Sequence, residues 1–281
     1  MRVGFIGLGD MGSGIADCLA RSDANDVVVF DLDQQRVDAA VAQGAQAARD
    51  LSEVAQDADP IVLCVVNDHQ VLALVEQMAP DLLPGQRIVV HSTVTPETIA
   101  TCQAIVGDGN AVLDVGISGG PHGAREGTLV LMAGGDESVL DELAEVFNAY
   151  GQTIHMGPQG AGMAAKLARN LIGYVAMAAA HEGMVLAEAA GVDLGKLREV
   201  VESTPVKLQF DVTIGRDSAR PVPDDADRAT LEFVERYARL AEKDLDDALA
   251  FADDLQLDLP AARGARRSVA GAFGWHPEPS G

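Results

Sequence analysis

Two side chains with complementary chemistry, Lys166 and Asn170, lie one helical turn apart in the run GAGMAAKLARNL, residues 160–171. Lysine is rare in this chain and occurs only at positions 166, 196, 207 and 243. Residues at i and i+4 share one face of a helix. A lysine there can protonate the alkoxide that develops during hydride transfer to a carbonyl, or take up a hydroxyl proton in the reverse direction. The alternative is a helix lysine whose stem lies along apolar neighbours.

Oxidation of a hydroxyl group requires this lysine in its neutral form, and both burial and a nearby cation lower the pKa of a lysine. Lys243, in the run LAEKDLDDAL on a later predicted helix, is a candidate for that cation. Asn170 would orient a substrate without adding charge. The pair therefore predicts acid–base chemistry at the start of a long helix.

A glycine-rich loop with the spacing G-x-G-x-x-G lies between the first predicted strand and the first predicted helix. Its glycines permit a tight turn, close approach of a diphosphate and close packing of the helix. Asp31 ends the second predicted strand, where a carboxylate binds the ribose hydroxyls and repels a 2′-phosphate. The sequence therefore predicts NAD rather than NADP as cofactor, with contacts from Gly7, Leu8, Gly9, Asp10, Met11, Gly12 and Asp31.

A second glycine-rich segment, Ser118-Gly119-Gly120, follows the fifth predicted strand. Backbone N–H groups in such a segment can form a concave nest for a carboxylate. The alternative is an ordinary flexible loop, and the residues alone do not decide between them. His122 lies nearby, but we interpret it as a solvated histidine outside the site.

The elements that position these residues alternate between strand and helix up to residue 160 and are helical afterwards. This order predicts an α/β Rossmann domain with a mostly parallel, doubly wound sheet over 1–160, and an all-α domain over 161–281 for substrate binding and oligomerisation. Residues 215–229 are rich in proline and aspartate and predict an exposed loop, and the last residues, WHPEPSG, predict a frayed end.

The charge of the chain excludes several classes of partner. A net charge of −23 over 281 residues argues against nucleic acid and anionic membranes. The chain has three cysteines, Cys18, Cys64 and Cys102. Their odd number and wide spacing predict buried free thiols and no metal site. Without a signal-peptide pattern or a long apolar run, the expected location is the cytoplasm. High-salt adaptation and GC-rich coding bias explain the acidity equally well.

Five runs, in chain order, resemble the 3-hydroxyisobutyrate dehydrogenase family of short β-hydroxyacid dehydrogenases: FIGLGDMG, HSTVTPET, DVGISGGPHGAREGTL, GAGMAAKLARN and KDLDDAL. The resemblance covers nearly the whole chain. It implies a Rossmann domain followed by an all-α domain, with the active site in the cleft between them.

Carried over by position, the resemblance implies that Lys166 is the catalytic residue and that Asn170 supports it. The loop that binds the substrate carboxylate falls on Ser118, Gly119 and Gly120. Further cofactor contacts are implied at Val65, Val66, Thr93 and Lys243, and Lys243 is also an expected substrate-binding residue.

Arg169 departs from the family pattern, since many members carry a second asparagine there. Its two interpretations are a solvated cation and an anchor for a second anionic group on the substrate. Where many members carry a PGF-like run before the second lysine, this chain reads LEFVERYARLAEKD, with Arg236 and Tyr237 near the position of the family's phenylalanine, so the substrate stays open. Imine reductases replace the lysine, and 6-phosphogluconate dehydrogenases are longer and carry histidine at position 169.

We therefore expect an NAD-dependent β-hydroxyacid dehydrogenase that interconverts a small 3-hydroxy acid and its semialdehyde. The alternatives are a tartronate or succinic semialdehyde reductase of the same family and a non-catalytic NAD-binding protein. The long Ala-rich helical run from residue 161 predicts a homodimer or homotetramer through the helical domain.

Overall fold

A computed structural model describes residues 1–189, 191–203, 222–223, 226–254 and 260–275. The chain divides into two compact units, Met1–Lys166 and Leu167–Gly281, which are treated separately below as the first and second unit. The predicted loop at 215–229 lies mostly outside the described residues, as does all but Trp275 of the predicted frayed end.

The first unit contains one eight-stranded sheet, and the structure describes all of its residues. Its strands are β1 (Arg2–Ile6), β2 (Asp26–Phe30), β3 (Gln46–Ala47), β4 (Ile61–Leu63), β5 (Arg87–Val90), β6 (Ala111–Ser118), β7 (Leu129–Gly134) and β8 (Gly151–Gly157). Its helices are α1 (Gly12–Ala20), α2 (Gln34–Ala42), α3 (Leu51–Asp57), α4 (Asp68–Met78), α5 (Pro96–Val106), α6 (Gly120–Glu126), α7 (Glu137–Glu142), α8 (Ala144–Asn148) and the start of α9 (Ala161–Ala189), with a short 3₁₀ helix at Ala79–Asp81.

The strand order is β3-β2-β1-β4-β5-β6-β7-β8, and every pair is parallel except β6 with β7. After β1 the chain adds β2 and β3 on one side of that strand, and it then adds β4 and β5 on the other side. The direction in which strands are added therefore reverses beside β1. Ligands of doubly wound sheets bind at such a switch point, outside the carboxyl ends of the strands. The predicted Rossmann fold with a mostly parallel sheet is confirmed.

The strands are apolar on both faces because helices cover both faces of the sheet. Alternate residues of a strand point to opposite faces. Val3 and Phe5 of β1 lie in one buried cluster with helices α1 and α2, whereas Ile6 lies in another with α3, α4 and α5. The β-branched runs DVVVF, IVL and RIVV therefore form a sheet with two cores.

Some local elements differ from the sequence prediction. The residues after β6 form a short helix, α6, rather than a loop, and the run ESVLDELAEVFNAY forms two helices, α7 and α8, rather than one. Helices α3 and α12 (Pro260–Ala272) were not predicted. Cys18 and Cys102 are buried as expected, but Cys64 is partly exposed, and all three thiols are free.

Among its described residues, the second unit contains helices joined by turns and no strand. It contains the remainder of α9, α10 (Leu194–Glu202), α11 (Arg228–Asp254) and α12. Its core is built from small apolar side chains of α9, α11 and α12, such as Ala178, Ala241 and Val269. Among the described residues, no helix is long and apolar enough to cross a membrane.

Candidate active site

The glycine loop is shaped by the residues around it. Gly7 has φ of +96°, and a Cβ atom there would lie 2.4 Å from the carbonyl oxygen of Cys64. A Cβ atom on Gly12 would lie 1.9 Å from the carbonyl oxygen of Gly7. Only glycine fits at these two positions, because a side chain would collide with the backbone. The loop therefore joins β1 to α1 in a tight turn.

Gly9 differs from Gly7 and Gly12 because the protein leaves space beside it, and that space can accommodate a ligand. A Cβ atom on Gly9 would meet nothing closer than Nη1 of Arg36, at 4.0 Å. The protein itself thus leaves room for a side chain at Gly9. An open glycine at the N-terminal end of α1 is suited to a diphosphate, which needs close approach to the backbone N–H groups.

Asp31 is held at the end of β2, beside the glycine loop. Its Oδ2 accepts a hydrogen bond of 2.6 Å from the N–H of Leu8, and its Oδ1 accepts one of 2.8 Å from the N–H of Asp33. Each carboxylate oxygen has a second lone pair available. The fixed carboxylate can therefore accept hydrogen bonds from the two hydroxyls of a ribose.

The loops after β4 and β5 are joined by hydrogen bonds to partly buried hydroxyl and carboxylate groups. The N–H of Val65 donates to Oγ of Ser92, at 2.8 Å. Oδ1 of Asp68 accepts hydrogen bonds from the N–H of Thr95 and from Oγ1 of Thr98, at 3.0 and 2.6 Å. Val66 and Thr93 lie in these two loops, and Val66 is 66% exposed. Four predicted cofactor segments therefore lie at the carboxyl ends of neighbouring strands in the first unit: the glycine loop, Asp31, Val65 with Val66, and Thr93.

The predicted carboxylate loop is a sharp turn between β6 and α6. Ser118 is the last residue of β6, and Gly119 and Gly120 have φ of +136° and +65°. A Cβ atom on Gly120 would meet nothing within 4 Å. The backbone of this turn is accessible, which fits the prediction of an anion nest. His122 is exposed on α6, as the sequence predicted.

The N-terminus of α9 is bound to β6 by a buried carboxylate. Asp114 is fully buried, and its two oxygens accept hydrogen bonds of 2.7 Å from the N–H groups of Gly160 and Met163. Burial raises the pKa of Asp114, and the backbone hydrogen bonds oppose that rise. An acceptor in the first turn satisfies N–H groups that have no partner inside the helix.

Lys166 is positioned by this docking of α9 on the sheet. A Cβ atom on Gly162 would lie 2.2 Å from the carbonyl oxygen of Asp114. A Cβ atom on Gly116 would lie 2.5 Å from Cβ of Lys166 and 3.0 Å from its Cγ. The helix and strand touch backbone to backbone, and the stem of Lys166 occupies the space that the missing side chain of Gly116 leaves.

In the second unit, Asn170 belongs to a polar cluster that links α9 to α11. Asn170 and Asp244 are 2% and 3% exposed, and Nδ2 of Asn170 donates to Oδ2 of Asp244 at 2.7 Å. The hydroxyl of Tyr174 donates to the same oxygen at 3.1 Å. Asp244 thus fixes the orientation of the Asn170 amide, leaving one N–H of that amide for another acceptor.

Lys243 joins this cluster as an ion-paired cation. Its Nζ lies 3.3 Å from Oδ1 of Asp244 and 3.0 Å from Oδ2 of Asp247. Burial lowers the pKa of Lys243, but the two carboxylates outweigh that effect and raise it overall. Since two carboxylates balance its charge, Lys243 is a weak candidate for the cation that depresses the pKa of another lysine.

Sequence reasoning missed several residues that hold the predicted site residues in place: Ser92, Asp68 and Asp114 in the first unit, and Tyr174 and Asp244 in the second. The signals were present for two of them. Asp114 is a lone carboxylate inside the apolar strand run NAVLDVG, and Asp244 directly follows Lys243. A charged side chain within a buried element is rare unless it is paired.

Comparison with known proteins shows which family combines these features. Residues 2–157 match the family described as the NAD binding domain of 6-phosphogluconate dehydrogenase, and residues 160–273 match the family described as NAD-binding of NADP-dependent 3-hydroxyisobutyrate dehydrogenase. The chain is 36% identical over 71% of its length to an NAD-dependent L-serine dehydrogenase of Pseudomonas aeruginosa, covering 68% of that protein. It is 32% identical over 72% of its length to the mitochondrial 3-hydroxyisobutyrate dehydrogenase of Drosophila melanogaster, covering 63% of it.

The chain belongs to the 3-hydroxyisobutyrate dehydrogenase family. Members of this family are NAD-binding β-hydroxyacid dehydrogenases, and the protein is an oxidoreductase of that class. A solved 3-hydroxyisobutyrate dehydrogenase of Mycobacterium tuberculosis, in complex with L-serine, matches the fold with a TM-score of 0.80 and 27% identity. That match covers 96% of this chain and 92% of the other.

Proposed function

We propose that the protein is an NAD-dependent dehydrogenase that interconverts a small 3-hydroxy acid and its semialdehyde, with Lys166 as general acid and base. The observation that carries this proposal is the fixed position of Lys166. Its helix is bound to β6 through Asp114, and its stem packs against Gly116, in the unit that also contains the glycine loop. We take residues 1–160 as the dinucleotide-binding domain and 161–281 as the substrate and oligomerisation domain.

Different residues of the first unit bind different parts of the cofactor. The open backbone at Gly9 and the N-terminus of α1 hold the diphosphate, and Asp31 binds the adenosine ribose. The loops at Val65, Val66 and Thr93 line the other half of the cofactor. When bound, NAD accepts a hydride from the carbon that bears the substrate hydroxyl. The carboxylate of Asp31 would repel a 2′-phosphate, which favours NAD over NADP.

A second group of residues binds the carboxylate of the substrate and transfers the proton of its hydroxyl group. Backbone N–H groups of Ser118, Gly119 and Gly120 bind the substrate carboxylate. Lys166 takes the hydroxyl proton during oxidation and returns it during reduction. Asn170, one turn further along α9 and oriented by Asp244, donates its remaining N–H to the substrate oxygen. We also propose Lys243, which is held by ion pairs with Asp244 and Asp247, as a contact of the substrate and the cofactor.

Named relatives suggest a common substrate core. L-Serine and 3-hydroxyisobutyrate appear in the names above, and a 2-(hydroxymethyl)glutarate dehydrogenase of Eubacterium barkeri is 34% identical over 72% of this chain, covering 68% of that protein. All three compounds contain HOCH₂–CH(R)–COO⁻ and differ only in R. We propose this core as the substrate class, with R undetermined by the residues above. Glycerate, the reduction product of tartronate semialdehyde, has the same core.

A substrate screen tests the proposal. The purified protein is mixed with NAD or NADP and with 3-hydroxyisobutyrate, L-serine, glycerate, 2-(hydroxymethyl)glutarate or 4-hydroxybutyrate, and NADH or NADPH formation is followed. We expect turnover of at least one HOCH₂–CH(R)–COO⁻ compound, faster with NAD. Turnover of 4-hydroxybutyrate alone would instead indicate a succinic semialdehyde reductase. NADH binding without any turnover would identify a non-catalytic NAD-binding protein.

We further propose that the protein is a homodimer or homotetramer assembled through its helical domain. Exposed apolar side chains of the second unit support this, among them Ile172, Val200 and Phe233. Isolated apolar side chains are common on monomer surfaces, so assembly needs direct measurement. Light scattering at assay concentration should give the mass of two or four chains, and the mass of one chain would contradict the proposal.

A further inference from the structure

Arg169 lies within the polar cluster of α9, although it directly precedes Asn170 in the sequence. Its Nη1 donates a hydrogen bond to Oδ1 of Asn170, at 3.4 Å. Consecutive residues of a helix point in different directions, so this contact means that the guanidinium group bends toward the side of Asn170. Arg169 also follows Lys166 by three residues on the same helix, which makes the two side chains neighbours on its surface.

The guanidinium group of Arg169 has N–H donors that could bind a ligand. The chain has 43 acidic and only 20 basic residues, yet among the described residues no carboxylate lies within ion-pairing distance of Arg169. Asp244, the carboxylate that binds Asn170, also accepts a hydrogen bond from Tyr174 and pairs with Lys243. A guanidinium group has five N–H donors, and the contact with Asn170 uses one of them.

The positive charge of Arg169 acts within the cluster rather than in bulk solvent. Burial and the adjacent Asp244 raise the pKa of Tyr174, and the charge of Arg169 opposes that rise. The arginine is itself partly buried. A partly buried guanidinium group without a carboxylate partner favours an anionic ligand, since such a ligand would replace the water it has lost.

We propose that Arg169 binds a second anionic group, carried on R of the HOCH₂–CH(R)–COO⁻ core, and so makes the protein selective for doubly anionic hydroxy acids. This inference rests on the proposed dehydrogenase function. A carboxylate or sulfonate on R matches the planar fork of arginine, which binds two oxygens at once.

A matched pair of substrates isolates this contact. In 2-(hydroxymethyl)glutarate the group R ends in a carboxylate, and in 2-(hydroxymethyl)pentanoate a methyl group replaces it. For the wild-type protein we expect kcat/KM to be at least about tenfold higher for the dicarboxylate, the effect of one charge-assisted hydrogen-bonded pair. Arg169→Gln should bring the ratio of the two kcat/KM values close to one, mainly by raising KM for the dicarboxylate. The kcat/KM for the monocarboxylate should change by less than about threefold.

Two further variants complete the kinetic test. Arg169→Lys keeps the charge but loses the fork, so its ratio should lie between those of the wild type and Arg169→Gln. Arg228→Gln removes an arginine that is 91% exposed on α11 and should leave the ratio unchanged. If Arg169→Gln lowered kcat/KM equally for both substrates, the proposal would be overturned, because that result would indicate that Arg169 only supports Asn170.

An equilibrium measurement separates failure of this inference from failure of the proposed function. The analogues 2-methylglutarate and 2-methylpentanoate lack the hydroxyl group and do not react. Calorimetry with the NAD-loaded protein should show at least about tenfold tighter binding of 2-methylglutarate, and Arg169→Gln should abolish the difference. Equal affinities in the wild type would overturn the role of Arg169, whether or not any hydroxy acid is oxidised.

Discussion

The carboxylate of Asp114 on β6 accepts a hydrogen bond of 2.7 Å from the backbone N–H of Met163, three residues before Lys166. This bond, together with the one from Gly160, fixes the first turn of α9 against the sheet. The position of Lys166 follows from that docking, because its stem packs directly on Gly116. The position of the lysine that we propose as catalytic thus depends on a strand residue that need not touch the substrate.

Gly116→Ala should displace Lys166, the residue that we propose as general acid and base. The new Cβ atom would lie 2.5 Å from Cβ of Lys166, a separation that forces the helix or the side chain to move. A displacement near 1 Å in an active site can reduce turnover by about 100-fold. We expect kcat to fall by about that factor with little change in the dissociation constant of NADH, measured by fluorescence titration.

Gly109→Ala provides the matched control for this substitution. Gly109 lies in the same unit, and a Cβ atom there would meet nothing within 4 Å. Its kcat should equal that of the wild type. Wild-type kcat in Gly116→Ala as well would show that the packing of Lys166 on β6 does not position the reactive group.

Asp31→Ala should weaken NADH binding and shift the preference toward NADPH. The substitution removes the acceptor for the ribose hydroxyls and the negative charge that repels a 2′-phosphate. Loss of hydrogen bonds to a charged group costs roughly 1–3 kcal/mol. Asp38→Ala, which removes an exposed carboxylate from α2, should leave both dissociation constants unchanged. A wild-type protein that already binds NADPH more tightly than NADH would contradict the role of Asp31.

The features that the sequence predicted well are local ones. β-Branched runs predict strands, and the glycine loop with Asp31 is recognisable because its residues are adjacent to the first two strands. The start of α5 carries such a local signal: Oγ1 of Thr95 accepts a hydrogen bond from the N–H of Thr98, and Pro96 is the first residue of the helix. Caps and turns depend on neighbouring residues, so their signals survive in a single sequence.

The residues that the sequence did not predict depend on contacts between distant segments. Asp114 meets α9 across 49 residues, and Asp244 meets Asn170 across 74. No periodicity marks such pairs. Helix α6 was missed because Gly120, Pro121 and Gly123 are poor helix formers, and only the tertiary environment makes them helical. Helix α12 was missed although its buried residues Ala262, Ala265, Val269 and Ala272 recur at helical spacing, because alanine marks a buried face less clearly than a large apolar side chain.

A buried histidine in the first unit predicts a pH-dependent stability. Nδ1 of His91 donates to the carbonyl oxygen of Val115 at 2.7 Å, so Nε2 accepts from the hydroxyl of Tyr150 at 2.9 Å. Burial lowers the pKa of His91 from 6.5 to about 4. Between these two pH values the unfolded chain binds a proton that the folded protein does not, so the stabilisation present above pH 6.5 is lost as the pH falls.

The expected loss in the free energy of unfolding is about 3 kcal/mol between pH 6.5 and 4. His91→Gln cannot take up this proton. Urea unfolding of both proteins, followed by circular dichroism, should therefore show a wild-type stability that falls more steeply with decreasing pH than that of the variant. A difference between the two proteins that stays constant with pH would contradict the assignment of a neutral, buried His91.

The most direct test of the account is Lys166→Ala. The variant loses the group that exchanges a proton with the substrate hydroxyl, and general acid–base catalysis contributes about 100-fold or more. With the best substrate from the screen, kcat should fall by at least that factor, while the dissociation constant of NADH changes by less than about twofold. A variant that keeps more than about a tenth of wild-type turnover would contradict the catalytic role of Lys166.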